Sequence, residues 1–373
     1  MLIGIHSVAA FKEKRTGVEE YAFQLIKNLA EIQRASGQGA AFFVLYADKI
    51  SPELTAVLNG CRNFKIKTMR FPFLWTQIRL SLEMLLNPPD ILFIPAHVLP
   101  LIHPKNSVVM VHGLEYERFP EYYPFFFRLY LRWATKFSCR AAARIIVPSQ
   151  SSKNDLIEIY GINSEKISVI YHGFEVFSAQ ENRQKFQTPE DFFLYLGRIE
   201  FKKNISGIVR AFEIFKEKRA SAFKLVLAGG GGFGAEELKR QIKKSKFASD
   251  IILRGYVSQE EKSVLLKNAA GFLFPSFYEG FGLPILEAQA AGVPVITSDV
   301  SSMPEAAGLP RYGGGERGAL FVNPENIEEI AEKMYKITDD VNLRKTLIGG
   351  GFENIKRFSW EKCAKETLKI LLK

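Results

Sequence analysis

The sequence predicts an α/β protein of two Rossmann-like domains, each a doubly wound parallel sheet, facing a cleft. Three observations predict it. Short apolar runs bounded by loop residues alternate with helical patterns along the chain, the pattern of strands joined by crossover helices. The alternation is interrupted by the polar stretch Ser178-Ala179-Gln180-Glu181-Asn182-Arg183 and then begins again. A length of 373 residues, 47% of them apolar, supplies chain and side chains for two or three cores. Parallel strands need crossovers long enough to cover both faces of a sheet, so the alternation implies parallel sheets rather than hairpins.

The first element is the apolar strand Leu2-Ile3-Gly4-Ile5, followed by a polar loop through Thr16-Gly17 and a helix marked by Tyr21, Leu25, Ile26 and Leu29. Further buried strands are expected at 41–46, 91–94, 108–111 and 145–147. These make a first domain over 1–178, completed by a C-terminal helix at 357–373. The second domain, 179–356, has strands expected at 192–196, 224–228, 251–253, 271–274 and 294–297. In such sheets ligands lie beyond the carboxyl ends of the strands, so the loops that follow strands are where chemistry is sought.

Composition narrows the partners. Fifty Lys and Arg against forty Asp and Glu leave a charge of +10, which favours anionic ligands but is too diluted by acids for an obligate nucleic-acid binder. Cys61, Cys139 and Cys363 are far apart, with neither a disulfide framework nor a zinc knuckle in their spacing, and a reducing cytoplasm is the expected compartment. The longest apolar stretch, 91–102, is broken by Pro95, His97 and Pro100. Neither a signal peptide nor a spanning helix is therefore expected, and any membrane contact would be peripheral.

Two glycine-bearing segments follow strands of the second domain. Gly229-Gly230-Gly231-Gly232-Phe233-Gly234 satisfies a dinucleotide-binding G-x-G-x-x-G pattern. The acidic residue that should reach a ribose about twenty positions later is Asp250, which precedes its strand and so stands at the wrong end. A nicotinamide oxidoreductase is accordingly kept only as an alternative. The other segment, Glu279-Gly-Phe-Gly-Leu-Pro-Ile-Leu-Glu287, sets two carboxylates eight residues apart, one in a glycine loop and one on the helix after it. Amides at Gly282 and Leu283 would lie at that helix N-terminus, where phosphate is favoured, and Glu287 could accept hydrogen bonds from a ribose diol. Taken alone, the segment also fits an ordinary helix start with Pro284 in its first turn.

Residues Glu279 to Glu287, with Phe281, Gly282 and Leu283 between them, resemble the Glu-x7-Glu motif of retaining glycosyltransferases of the GT-B fold, specifically family 4, group 1. Other segments are similar to the same family in the same order. Arg15-Thr16-Gly17-Val18 resembles its first glycine loop, Val111-His112-Gly113 its active-site histidine, and 147–156 the stretch that closes its first domain. Val169-Ile170-Tyr171-His172-Gly173 resembles the start of its linker, Leu196-Gly197-Arg198 through Lys203-Asn204 its phosphate-binding loop, and Gly255-Tyr256-Val257 its base-contacting turn. Phe358-Ser359-Trp360-Glu361 is similar to the opening of its last helix. The chain departs from the family at His112-Gly113, where His-Asp is common, and at His172-Gly173-Phe174-Glu175 in place of Asn-Gly-Val-Asp.

Arg198 and Lys203, five apart beyond a strand end, can pair with a diphosphate as a planar fork and a point charge and stabilise the charge that grows on it as it leaves. They can stand in for a metal cation, and no Asp-x-Asp is present, so neither metal nor cofactor is expected. The resemblance implies that His112 hydrogen-bonds the donor sugar, that Glu279 touches its hydroxyls, that Gly17 lets its loop approach a phosphate or the acceptor, and that anomeric configuration is retained. His97 and His103 are assigned no role.

Between Glu121 and Asp155 there is no acid, yet Arg128, Arg132, Lys136, Arg140 and Arg144 recur every four residues among aromatic and aliphatic side chains. Such a helix can lie on anionic lipid. It can equally be a domain helix with a solvated basic stripe over a buried apolar face.

The function expected is transfer of a hexose from a nucleoside-diphosphate sugar to a hydroxyl of a glycan or lipid-linked glycan, in surface polysaccharide biosynthesis. GDP-mannose is the first choice of donor, on overall likeness to family mannosyltransferases, with a UDP-hexose as the alternative. A non-catalytic sugar-nucleotide-binding protein is the remaining alternative.

Overall fold

The structure is a computed structural model that describes the chain except residues 13, 14, 16, 36–40, 176–185, 187, 220, 221 and 310–317. The chain divides into two compact units, Met1–Gly173 with Phe358–Lys373, and Phe174–Arg357. The division falls shortly before the polar stretch expected to mark it, and residues 178–183 lie outside those described.

In the first unit, strands β1 (Leu2–His6), β2 (Phe42–Ala47), β3 (Phe64–Thr68), β4 (Ile91–Ile94), β5 (Ser107–Met110), β6 (Arg144–Val147) and β7 (Ile167–Val169) form a sheet of order β3-β2-β1-β4-β5-β6-β7. Every pairing is parallel. The crossovers carry α1 (Gly17–Ala35), α2 (Pro52–Leu58), α3 (Ser81–Leu86), α4 (Glu115–Arg118), α5 (Phe125–Ala141) and α6 (Gln150–Tyr160). Helix α1 forms because Tyr21, Leu25, Ile26 and Leu29 make one buried face, with Glu19 and Glu20 at its positive end and Arg34 at its negative end. Ser149 accepts a hydrogen bond from Ser152 N at 3.0 Å to start α6, and left-handed Gly161 ends it. The motif-like Pro148-Ser149 pair is thus a helix cap.

In the second unit the strands are β8 (Phe192–Leu196), β9 (Lys224–Ala228), β10 (Ile251–Gly255), β11 (Gly271–Phe274), β12 (Val295–Ser298) and β13 (Leu320–Val322), ordered β10-β9-β8-β11-β12-β13 and parallel throughout. They alternate with α7 (Ile205–Lys218), α8 (Ala235–Lys244), α9 (Gln259–Asn268), α10 (Leu283–Ala290), α11 (Met303–Ala306), α12 (Ile327–Asp339) and α13 (Val341–Ile355). Its core stacks Phe192, Phe193, Tyr195, Phe212, Phe215, Phe272 and Phe274, all fully buried. Helix α14 (Trp360–Leu371) belongs to the first unit, where it lies against α1. Ser359 caps it, and Arg144 Nη1 at the start of β6 donates to Ile370 O at 2.9 Å.

Strands β3, β7 and β13 were not expected from the sequence, and all three lie at sheet edges. Edge strand β3 alternates apolar and polar residues and so lacks the continuous apolar run that marks β4, β8 or β11, while β7 and β13 are only three residues long. In each sheet the order reverses about one strand, β1 in the first and β8 in the second, and that reversal opens a crevice beyond the strand ends.

Candidate functional site

The second sheet reverses its order at β8, which pairs with β9 on one side and β11 on the other, and the loops after β8 and β11 meet beyond it. Phe277 N donates to Lys202 O at 2.8 Å, and the rings of Phe201 and Phe277 stack with centroids 5.7 Å apart. This brings Lys203 onto Glu279: their side chains form an ion pair while keeping only 14% and 11% exposure. Lys203 Nζ also lies over the Phe274 ring at 5.4 Å, and Ser276 Oγ donates to Glu279 Oε1 at 3.0 Å. The loop after β12 fixes the Glu279 backbone, since Ser301 and Ser302 each donate from Oγ to Glu279 O at 2.8 Å. Arg198 is more open, with Nε 3.1 Å from Glu200 Oε1 and a side chain more than half exposed.

Gly282, at φ +114, turns the chain into α10. Pro284 has no N–H and Ile285 donates to Gly282 O at 3.0 Å, which leaves the amides of Gly282 and Leu283 as donors at this helix end. One turn further, Glu287 Oε1 is 2.7 Å from Lys262 Nζ of α9. Val257 is partly exposed after β10, whereas the Phe281 side chain is buried and its carbonyl accepts from Ser302 Oγ at 2.8 Å. Arg198, Lys203 and Lys262 therefore each rest on a carboxylate, and an anion entering the site would exchange one partner for another.

The glycine run has a structural explanation. A Cβ on Gly229 would fall 1.8 Å from Gly197 O, and Gly229 stands at φ +153. Ile199 N donates to Gly230 O and Gly232 N to Ile199 O, both at 2.9 Å, so the run lies flush against the loop that carries Arg198. Asp250 precedes β10 and holds Lys216 at 2.9 Å and Lys224, at the end of the sheet remote from any ribose. The run shapes the Arg198 loop rather than cradling a dinucleotide.

In the first unit, His112 follows β5 and His97 follows β4, both beyond strand ends. The His112 ring is 5.4 Å from His97, 5.5 Å from His172 and 5.0 Å from Tyr21. Trp360 of α14 closes on His172 at 5.8 Å. Desolvation in this cluster, helped by His97, pushes the His112 pKa down to about 3, and burial lowers His97 and His172 as well. His112 is thus neutral, and its contact of 2.8 Å from Nε2 to Pro95 O assigns the proton to Nε2 and an acceptor lone pair to Nδ1. His97 holds a left-handed backbone at φ +46, rare for a residue with a Cβ.

Gly17 opens α1, and a Cβ there would meet nothing within 4 Å, so no close approach in the unit demands glycine. Arg15 beside it pairs with Glu20 at 2.9 Å and with Glu53 at 2.7 Å, while residue 16 lies outside those described. On α5, Arg128 lies 5.9 Å from the Phe125 ring, Arg132 pairs with Glu117 at 3.2 Å, and Lys136 lies 5.9 Å from the Tyr160 ring. The helix buries its small residues Ala134, Thr135, Ser138 and Cys139 and exposes Phe125, Phe126, Phe127 and Trp133. The helix thus has the buried apolar face of a domain helix, with Cys139 in the core and Leu131, Phe137 and Ala141 packed against it, while the side that carries the basic row also exposes aromatic rings. A cavity of about 530 Å³ between β7 and α14, lined in part by Ser168, Glu366 and Lys369, contains none of the residues expected to be catalytic or to bind the donor.

Lys262, Ser276, Ser301 and Ser302 are not singled out by the sequence, and His97 and His172, named there without a site role, stand beside His112. His97 follows an apolar strand as His112 does, and the same strand-end rule would have found it. The serines and Lys262 leave no signal, because they reach the site from other loops and helices.

The family model described as glycosyl transferases group 1 matches residues 176–353, and that of glycosyltransferase family 4 matches residues 15–176. The O-antigen chain mannosyltransferase B of Escherichia coli is 26% identical over 381 residues, 98% of each chain. The O-antigen chain mannosyltransferase RfbU of Salmonella typhimurium is 26% identical over 356 residues, 90% of this chain and 95% of its own. Among solved structures, sucrose-phosphate synthase from Thermosynechococcus elongatus superposes with a TM-score of 0.73 at 18% identity over 99% of this chain and 98% of its own. Anabaena HepE, in complex with UDP-glucose, superposes with a TM-score of 0.71 at 18% identity over 99% of each chain. These superpositions identify the fold as GT-B.

Proposed function

This chain belongs to the group 1 glycosyltransferases of family 4, and on that premise we propose that it transfers mannose from GDP-mannose, with retention of configuration, to a hydroxyl of a glycan or lipid-linked glycan. The pathway is surface polysaccharide assembly. The observation that carries the proposal is the convergence of Lys203, Glu279 and the Gly282–Leu283 amides at the reversal point of the second sheet. Mannose as the sugar is supported by the O-antigen mannosyltransferases that resemble the whole chain. A UDP-hexose is the second reading, supported by the UDP-glucose complex of a structural neighbour.

In this scheme Lys203, Arg198 and the two amides take the diphosphate, exchanging it for Glu279 and Glu200. They supply the positive charge needed as the bond from C1 to phosphate oxygen breaks, so no metal ion is required. Glu287 accepts hydrogen bonds from the ribose diol. Glu279, freed from Lys203, holds sugar hydroxyls, and neutral His112 offers Nδ1 to another. The acceptor oxygen bonds to C1 on the face that phosphate leaves, and its proton passes to the departing phosphate oxygen. The protein works in the cytoplasm, and α5 brings it to anionic lipid.

Calorimetric titration with GDP, UDP, GDP-mannose and UDP-glucose tests the donor assignment: GDP-mannose binds most tightly. NMR of slow donor hydrolysis should show α-mannose forming first. Early β-mannose would exclude retention, and failure of all four ligands to bind would exclude the site. Binding with neither transfer nor hydrolysis would make the protein a sugar-nucleotide binder.

A further inference from the structure

We propose that the first unit holds the acceptor by an uncharged, hydroxyl-rich sugar residue, seated beyond β1, β2 and β4 on His6, Asp48, Gln77 and His97. The proposal rests on the transfer reading above and adds the class of acceptor end that is taken. Each of these side chains holds one polar atom that is buried and has no hydrogen-bond partner: His6 Nδ1, Asp48 Oδ1, Gln77 Oε1 and His97 Nδ1. A buried polar atom left unpaired costs free energy, so four of them in one region need a partner to account for them. Sheet order brings them together. Strands β2, β1 and β4 are neighbours; His6 ends β1 opposite Tyr46, Asp48 directly follows β2, and His97 lies just beyond β4. The segment after β3 closes the row, since Thr76 Oγ1 is 3.0 Å from His6 Nε2 and Gln77 Nε2 donates to Leu99 O at 3.1 Å in the loop that carries His97. Asp48 acts electrostatically on the His6 ring, and Trp75 packs edge-on against it at 5.2 Å.

The row lies at the carboxyl end of the sheet, about the strand where its order reverses, which is where doubly wound sheets take ligands. His97 marks the same place independently. Its left-handed backbone at φ +46 is fixed by a hydrogen bond from its N–H to Met110 O at 2.9 Å, and strain of this kind is kept where a site requires it. Its ring is 5.4 Å from His112, so an acceptor seated here arrives beside the residue proposed to meet the donor sugar. The chemistry of the four atoms selects the occupant. A carboxylate oxygen and an amide oxygen only accept hydrogen bonds, and the bond to Leu99 O fixes which end of the Gln77 amide is which. Burial lowers the pKa of His6 and of His97, so both rings are neutral and each offers one donor and one acceptor nitrogen. A sugar hydroxyl both donates and accepts; it suits either tautomer and supplies the protons that Asp48 and Gln77 lack. A phosphate or a carboxylate brings acceptors alone, and its charge would face that of Asp48. The row therefore admits an uncharged sugar and rejects a uronic acid or a sugar phosphate.

Saturation-transfer NMR titrations of the full chain test this with methyl α-mannoside, methyl α-glucoside and methyl α-galactoside as uncharged probes, and with methyl α-glucuronide and mannose 6-phosphate as charged counterparts. At least one uncharged glycoside should bind, and neither charged sugar should. Asp48→Asn should weaken that glycoside about tenfold, because its hydroxyls exchange a charged acceptor for a neutral one. The same variant should begin to bind the glucuronide, a gain that a misfolded protein cannot show. His97→Asn, whose side chain tolerates a left-handed backbone, should weaken the glycoside as well. Titration of the wild type with GDP and UDP keeps the two readings apart. If a nucleotide binds but no uncharged glycoside does, or if a charged sugar binds as well as its uncharged counterpart, the proposal is overturned and the donor assignment stands. Glycoside binding that neither variant alters would leave the four atoms to ordered water and would overturn it too. Glycoside binding weakened by both variants in a protein that takes neither nucleotide would uphold this subsite and remove the donor reading instead.

Discussion

Replacing Lys203 with Met separates two roles that a single loss of activity would confuse. In the free protein Lys203 neutralises Glu279, and both side chains are nearly enclosed, at 14% and 11% exposure. Removing the amine leaves Glu279 with the Ser276 hydroxyl at 3.0 Å on Oε1, a neutral donor on a carboxylate largely cut off from water. Such a loss costs about 2 kcal/mol, toward the lower end for a broken buried pair because the site opens to solvent at Arg198. For a unit of this size that is a fall of about 4–8 °C in its transition by scanning calorimetry. A diphosphate that loses its charge-assisted bond to Lys203 should bind about 10- to 150-fold more weakly. Adding Glu279→Gln separates the effects. The neutral amide no longer needs a cation, so the double variant should regain most of the lost stability. It should not regain affinity for GDP, which lacks the sugar that Glu279 is proposed to hold. Titration calorimetry with GDP is therefore the deciding assay. Recovery of GDP affinity in the double variant would show that Lys203 serves the fold and not the phosphate, and the donor-site assignment would fail.

Acidification should destabilise the first unit. The pKa values of His112 and His6, lowered by burial to about 3 and about 4, lie below the unfolded value of 6.5, so the unfolded chain takes up protons that the folded chain refuses. Stability is then lost as pH falls from about 6.5 toward those values, by up to about 1.4 kcal/mol per pH unit for each histidine. Trp75, Trp133 and Trp360 all belong to this unit, so urea titrations followed by tryptophan fluorescence report on it alone, and equal stability at pH 7 and pH 5 would contradict the buried cluster. Lys262→Met should let Glu287 wander from the position that meets a ribose, narrowing the preference for GDP over its 2′,3′-dideoxy analogue in titration calorimetry; an unchanged preference would remove Lys262 from the site. Gly229→Ala, whose Cβ would meet Gly197 O at 1.8 Å, should lower stability by about 3 kcal/mol or more, while Gly230→Ala, with nothing within 4 Å, should stay within about 0.5 kcal/mol. Similar melting temperatures for the two would mean that the run does not shape the Arg198 loop.

The parts of this molecule that could be read from its sequence are those where a local pattern and a global constraint agree. Strands β4, β8 and β11 are covered on both faces, so burial leaves a continuous apolar run in the sequence. Loops beyond such strands then become the places to look, and Arg198, Lys203, Glu279 and His112 are singled out that way. Edge strand β3 reads Phe-Lys-Ile-Lys-Thr and is solvated along one side, so the same rule passes over it. The basic row of α5 was visible as a period of four, but its orientation was not. Periodicity says that a helix has two faces, and only the neighbours decide which one is covered; here Ala134, Ser138 and Cys139 were narrow enough to lie against the sheet, and the aromatic side was left outside.

The glycine run shows the opposite failure, in which a strong local pattern carries the wrong chemistry. A G-x-G-x-x-G loop in a dinucleotide fold is glycine because a pyrophosphate must approach its backbone. Between β9 and α8 the backbone is approached just as closely, but by residues 197–199 of the neighbouring loop. Both situations impose the same requirement on the side chain, its absence, and so both write the same letters. What distinguishes them is the position of the run in the strand order. The dinucleotide loop follows the strand at which a sheet reverses, and in this sheet that strand is β8, whose loop holds Arg198 and Lys203, whereas the glycines follow β9, one strand further out. The phosphate-binding role we propose for this region therefore rests on the two cations and the α10 amides, and the glycines let the Arg198 loop settle against them.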